Sequence, residues 1–236
     1  MIHTFFLTLL FAHAIADYPL QTTPVYKFKI KSFWGIVLHV LIITLFTLVT
    51  IYAVGWEFNP GILLFIALLA GLHIIEDKLK LSVYRGNDFF WYIIDQVIHI
   101  LCMALIYILP ITLVTTSWNL GSAVNYYLLA ITGIVYASYA ASIGIHFYIK
   151  AYKEPMIGYK RNWMEIVELG FWATAFFLFC KYFILIALAG LLVKFIAKKY
   201  LNVPELGRMI NIVIPFIVFI LFCGVNFLIN NYTMTF

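Results

Sequence analysis

Two histidine–aspartate pairs stand at matched spacing in this chain. His13 and Asp17 lie in "HAIADYPLQ", and His73 and Asp77 lie in "HIIEDKLK". Residues four apart share a helix face, so each pair can point at a common centre. A second histidine follows each first one at the same distance, His39 after His13 and His99 after His73. Asp95 sits four residues before His99 and adds a carboxylate to the second set. Imidazole and carboxylate together suit zinc, manganese or iron. Seven such residues, His13, Asp17, His39, His73, Asp77, Asp95 and His99, suffice for one or two divalent transition-metal ions, with carboxylates able to bridge. A paired centre would activate water and stabilise a displaced oxygen, the chemistry of a metal-dependent hydrolase or transferase. The catalytic candidates are Asp95, Gln21, which continues the His13–Asp17 face by one more turn, and Lys27, which could hold a phosphate. The same groups could instead pass protons or metal ions along a bundle. Any one of these histidines alone would read as a packed residue near a helix end; seven groups in two matching spacings read as a site.

The elements that must carry these residues are apolar. The chain of 236 residues is 65% hydrophobic and 11% charged, with a mean hydropathy of +1.02. Soluble domains run about 45–50% apolar and 25% charged, so the composition is that of a membrane protein. Six tryptophans, sixteen tyrosines and twenty-two phenylalanines suit two water interfaces. Cys102, Cys180 and Cys223 sit singly in apolar runs, which argues against a disulfide framework or a thiolate metal site. The N-terminal run "MIHTFFLTLLFAHAIADY" has the small residues of a cleavable signal but no Lys or Arg ahead of it, and reads as a retained first helix.

A bilayer-crossing helix needs about 20 mostly apolar residues. Eight candidate spans follow, roughly 2–18, 33–55, 60–78, 89–114, 121–149, 163–180, 182–199 and 209–231. The expected fold is an all-α transmembrane bundle. A His/Asp-bearing region covers 1–115, and a C-terminal four-helix region covers 116–236. Pro19, Pro24, Pro60, Pro155 and Pro204 mark connections; Pro110 and Pro215 fall within spans, where kinks are tolerated.

Alternate loops carry fourteen of the fifteen basic residues, Lys27, Lys29 and Lys31; Lys78, Lys80 and Arg85; Lys150, Lys153, Lys160 and Arg161; Lys194, Lys198, Lys199 and Arg208. The remaining one is Lys181. Positive loops stay cytoplasmic, so a multi-pass cell (inner) membrane protein with both termini outside is expected. The net charge of +5 is then a matter of topology and calls for no nucleic-acid partner. On this topology the seven His and Asp residues converge near the cytoplasmic side, and helices one–two and three–four form two parallel hairpin repeats. Asp95 breaks their symmetry. Membrane lipids and an amphiphilic substrate are the expected partners.

Other residues read more plainly. His146 suits an interface. Glu165 and Glu168 head a helix, where the dipole stabilises carboxylates. His3 reads as inert near the outer side. Tyr152, Tyr159 and Trp163 read as an aromatic belt.

The quoted segments, with "LHV" around His39 and "DQVIHI" around His99, resemble a bacterial integral membrane family called domain of unknown function 3307. Its pattern is His-x-x-x-Asp-x-x-x-Gln, a lysine, a histidine, His-x-x-x-Asp-x-x-Lys and Asp-Gln-x-x-His. The matching residues are His13, Asp17, Gln21, Lys27, His39, His73, Asp77, Lys80, Asp95, Gln96 and His99, within residues 5 to about 105. Longer members are similar in a later Gly-x-x-Ile-x-x-Glu-Arg-like helix; here "NWMEIVELG" has Leu169 where an arginine would stand. The resemblance implies the site positions and no reaction. Three readings follow from the sequence: a metal-dependent enzyme acting on a lipid-like molecule, a metal-ion or proton transporter, and a non-catalytic membrane anchor or effector.

Overall fold

Ser32 separates two helices. Its Oγ accepts a hydrogen bond from the Gly35 amide at 3.0 Å, capping the helix that follows. That helix, α3 (Phe33–Ala53), closes on Gly55, whose φ of 85° is open to glycine. The Gly55 and Trp56 amides reach back to the Tyr52 and Ile51 carbonyls at 2.9 and 3.1 Å, satisfying the last turn. Trp56 then folds onto the start of α1 (Ile2–Asp17). Its ring meets Phe5 edge-on at 5.3 Å, and its Nε1 donates to Thr8 Oγ1 at 3.1 Å. Asn59 Oδ1 accepts from the Ile62 amide at 2.9 Å, and Pro60 supplies the preset first residue of α4 (Pro60–Val83).

The computed structural model describes residues 2–83, 88–109, 122–152, 163–179, 182–200 and 210–232. The remaining elements are α2 (Thr23–Lys31), α5 (Asp88–Ala104) with a 3-10 turn Leu105–Tyr107, α6 (Ser122–Val135), a π-helical turn Tyr136–Ala140, α7 (Ala141–Tyr152), α8 (Trp163–Leu178), α9 (Phe183–Tyr200) and α10 (Ile210–Tyr232), with Pro215 inside it. No strand occurs among the described residues, and the all-α expectation holds. Every one of the eight apolar segments contains helix. Pro110, Pro155, Pro204, Arg85, Lys153, Lys160, Arg161, Lys181, Arg208, Tyr159 and Cys180 lie outside the described residues.

Among the described residues, three helices are long and apolar enough to cross a membrane: Phe33–Ala53, Phe89–Tyr107 and Val124–Tyr148, with mean hydropathies of 2.4, 1.9 and 1.7. Ile2–Asp17, Ile184–Ile196 and Asn211–Gly224 are apolar but shorter. Large apolar side chains point outward, Val49 at 62% and Leu64 at 73% exposure among them, an arrangement water would penalise.

The chain forms two compact units. In the first, Met1–Leu128 with His146–Ile157, α1 packs on α3, α3 on α4, α4 on α5 and α5 on α1, closing a four-helix ring. In the second, Leu129–Ile145 with Gly158–Phe236, α8 and α10 pack around Phe176, Phe177, Ile212 and Phe219.

Two local features depart from the sequence reading. The first connection is helical, as α2, because Pro24 presets its first turn. It lies so close to α3 that a Cβ on Gly35 would fall 2.0 Å from the Phe28 carbonyl oxygen. Lys194, counted among the loop lysines, is instead inside α9 and 2% exposed.

Candidate metal centre

Four helices of the first unit each bring donors to one place. Helix α1 stops at Asp17, two residues before Pro19, so His13 and Asp17 occupy its last turn. His39 lies in the second turn of α3. Helix α4 runs to Val83, beyond the expected end at 78, and presents His73, Asp77 and Lys80 from one rod. Helix α5 supplies Asp95 and His99. All seven predicted ligands are buried, His39 to 1% exposure.

The four imidazoles form a contiguous set. Ring centroids lie 4.3 Å apart for His73 and His99, 4.6 Å for His13 and His99, 5.4 Å for His39 and His73, and 5.6 Å for His13 and His73. His99 Nε2 is 3.1 Å from His73 Nδ1, while His99 Nδ1 lies 2.7 Å from the Asp95 carbonyl oxygen. Carboxylates interleave with the rings. His39 Nε2 is 3.2 Å from Asp17 Oδ1, and His73 Nε2 is 3.4 Å from Asp77 Oδ2. His13 Nε2 is 3.9 Å from Asp17 Oδ2, and His39 Nε2 is 3.9 Å from Asp77 Oδ2.

The flanking polar residues sort differently from the sequence reading. Gln21 lies past the end of α1, yet its Nε2 donates to Asp17 Oδ1 at 3.3 Å and stands 3.1 Å from His39 Nε2. Lys27 is exposed on α2. The lysine of α2 that reaches the cluster is Lys29, whose Nζ lies 2.6 Å from Asp77 Oδ1. Lys80 pairs with Asp95 Oδ2 at 2.8 Å, and Gln96 donates to the same oxygen at 3.0 Å. Tyr18 hydroxyl donates to Gln96 Oε1 in turn, tying α1 to α5 beside the cluster.

Glu76 was absent from the predicted set. Its Oε2 lies 3.4 Å from His99 Nε2, and it is buried with the others. It follows His73 by three residues in "HIIED", a spacing that shares a helix face, and that spacing was the signal for it.

The donors gather into two groups whose ligand atoms all lie within 4.8 Å of one another: Asp17, His39 and His73, and Glu76, Asp95 and His99. Bonds of about 2.1 Å to a tetrahedral ion put neighbouring ligand atoms about 3.4 Å apart, which the 3.2 Å His39–Asp17 and 3.4 Å His99–Glu76 separations match. His13 Nε2, Glu76 Oε1 and Asp95 Oδ1 are buried with no hydrogen-bond partner. Such atoms are costly unless a ligand satisfies them. Donor set, spacing and orphaned atoms all fit a divalent cation. A cavity of about 50 Å³ adjoins the cluster, with His13, His73, Glu76 and His99 at its polar wall and Leu9, Ile43, Ile66, Leu69 and Met103 among its apolar ones.

The family described as protein of unknown function (DUF3307) matches residues 5–131, more than half of the chain. The chain belongs to this family. Every donor of the centre, Glu76 included, falls inside the DUF3307 region, whereas α8, α9 and α10 fall outside it. No curated protein and no solved structure matches the chain.

The remaining polar residues lie elsewhere. His3 Nδ1 is 3.0 Å from the Tyr107 hydroxyl. His146 is half-buried, its ring 5.8 Å from that of Phe147. Trp163 is exposed at the start of α8, 6.3 Å from the Tyr139 ring; the side chain of Tyr152 lies outside the described set. In the second unit, Glu165 accepts from Ser142 Oγ at 3.1 Å. Glu168 is held by Lys194 and accepts from Asn211 Nδ2 at 2.7 Å. Leu169 is fully buried, and Lys194 provides the positive partner for Glu168.

Proposed function

We propose that this is a polytopic membrane protein whose buried His/Asp/Glu centre holds one or two divalent transition-metal ions and acts on an amphiphile, as a hydrolase or transferase. The observation that carries this reading is the meeting of four imidazoles with Asp17, Glu76, Asp77 and Asp95 around orphaned donor atoms. Ionisable groups inside an apolar bundle are expensive and mark function. When bound, the ions would supply an activated water and charge stabilisation. The chain's own residues have separable tasks. Gln21 orients Asp17 and His39, Lys29 and Lys80 neutralise Asp77 and Asp95, and the apolar cavity walls confine the space beside the centre. Lys27, exposed on α2, is placed to meet an anionic headgroup.

The membrane topology in this reading has eight spans, both termini outside, and α1–α3 and α4–α5 as two hairpin repeats. The outward apolar faces and the alternate-loop lysines support it. Reporter fusions near Lys153 and at the C-terminus should report opposite sides; agreement between them would break the topology. Elemental analysis of the purified protein should find near-stoichiometric zinc, manganese or iron, lost in a His39→Ala, His99→Ala double variant. A chain that binds none of the three when offered them would sink the metal reading.

Transport is the second reading, favoured by one observation: the cavity follows α3 from the cluster as far as Thr47. Thr44, which lines it, donates its hydroxyl to the Val40 carbonyl at 2.8 Å, tying the side chain back to its own helix. Metal uptake by sealed vesicles carrying the protein would turn the assignment to transport.

A further inference from the structure

The two donor groups differ in chemistry and in surroundings, and that difference carries an inference resting on the metal reading above. The first group offers two imidazoles and one carboxylate; the second offers one imidazole, His99, and two carboxylates, Glu76 and Asp95. Asp17 and His39 are closed over by the Gln21 amide, which lies within hydrogen-bond distance of both. The second group keeps unpartnered oxygens, Glu76 Oε1 and Asp95 Oδ1, both buried. Glu76 and His99 also line the cavity, as does His73 of the first group, whereas Asp17, His39 and Asp95 do not. About 10–15 Å³ of such space holds one water, so 50 Å³ leaves room for a few waters or a small polar group beside the second group.

We propose that Glu76, Asp95 and His99 form a second, distinct cation site that takes a manganese(II)-class ion and keeps its exchangeable coordination positions toward the cavity. Carboxylate-rich sets suit harder ions such as manganese, while imidazole-rich sets suit zinc. A site that binds substrate must keep an open position, and a structural one is closed. By that rule the Asp17–His39–His73 group, covered by Gln21 and meeting the cavity only through His73, is the more closed, zinc-like partner. The Glu76–Asp95–His99 group is the one an incoming substrate oxygen meets. Glu76 is its defining ligand, since Lys80 and Gln96 already occupy Asp95 Oδ2.

The test is the full-length protein, stripped with chelator, offered zinc and manganese together and separately, and read by elemental analysis and manganese EPR. Wild type is expected to bind two ions, one of each. Glu76→Gln is expected to keep the zinc and to lose manganese affinity by more than 100-fold, beyond the about 10–100-fold typical of losing a ligand's hydrogen-bond partner. His39→Ala is expected to do the reverse. Helical circular dichroism and gel filtration establish folding for each, and Glu76→Asp replaces the amide variant where that variant does not fold. It is expected to retain two ions with a changed EPR spectrum. A wild type binding one ion, indifferent to Glu76→Gln, overturns the second site and leaves the metal reading standing. Loss of both ions from folded Glu76→Gln means a single shared centre and also overturns it. A wild type binding neither ion overturns both.

Discussion

Both units bury carboxylates inside apolar helices, and they treat them in opposite ways. In the second unit each interacting carboxylate oxygen has a donor. Glu168 faces Lys194 on one oxygen and Asn211 on the other, and Glu165 takes the Ser142 hydroxyl; the buried atom left without a hydrogen-bond partner in this network, Asn211 Oδ1, is an uncharged amide oxygen. In the first unit, four imidazoles and four carboxylates share one zone, yet Glu76, Asp95 and His13 each leave a buried atom without a partner. A network whose carboxylate oxygens are paired holds its charge by itself. An unsatisfied one stores a cost that only a ligand removes. Burial of charge alone therefore does not separate structure from function in this molecule; the bonding left over on carboxylate and imidazole atoms does.

The largest expected effect tests the satisfied side. Lys194→Ala removes the positive partner of Glu168 and leaves it the Asn211 amide alone. Breaking a buried pair costs about 3–5 kcal/mol; because the Glu168 side chain is 26% exposed, about 2–3 kcal/mol is expected. Denaturant unfolding in detergent measures it. Replacing both partners, Lys194→Met with Glu168→Leu, should recover most of the loss. A neutral Lys194→Ala would break the comparison, since the network would then not be structural.

A smaller effect comes from the approach of α2 to α3. Gly35→Ala places a methyl against the Phe28 carbonyl and should cost about 1–2 kcal/mol as overpacking. It should also loosen the Lys29–Asp77 pair, weakening metal binding at the cluster. A variant with lower stability and unchanged metal affinity would separate α2 from the centre.

The smallest effect is opposite in sign and sharpens the contrast most. In metal-stripped protein, Glu76→Gln should lie within about 1 kcal/mol of wild type, on the stabilising side, because it removes a buried carboxyl group that lacks a full set of partners. With metal restored, wild type should regain the advantage, by about 2.7 kcal/mol at a hundred times the dissociation constant. Stripped Glu76→Gln that is less stable than stripped wild type by more than this margin would show that Glu76 is held as firmly as Glu168.

The sequence made most of the helices and seven of the eight clustered donors visible, because apolar runs and His-x-x-x-Asp spacing are local signals. What it hid depended on neighbours. Glu76 and Asp77 are adjacent in the chain, but successive helical residues point about 100° apart. Asp77 therefore meets His39 and Lys29, while Glu76 meets His99. The three-residue spacing from His73 marks the face Glu76 shares, but no spacing rule names its partner, His99, on another helix. The choice between Lys27 and Lys29 failed to show for a related reason. The segment read as a loop, where either lysine could turn inward; as helix α2, two positions apart is about 200°, so facing one way excludes the other. Lys194 was read as a topology charge because its partner, Glu168, sits 26 residues away on another helix.

Helix α4 sets the phase of the whole arrangement. His73, Glu76, Asp77 and Lys80 all hang from one uninterrupted rod that starts at the Asn59–Pro60 cap. A substitution along this rod alters one contact. A one-residue insertion or deletion between Pro60 and His73 would alter none of the donors in kind, yet would swing every one of them about 100° around the axis. Glu76 would then turn away from His99, and Asp77 from Lys29, in a single event. The length of that apolar stretch is thus information as strict as the identity of the histidines, carried by residues that never touch an ion.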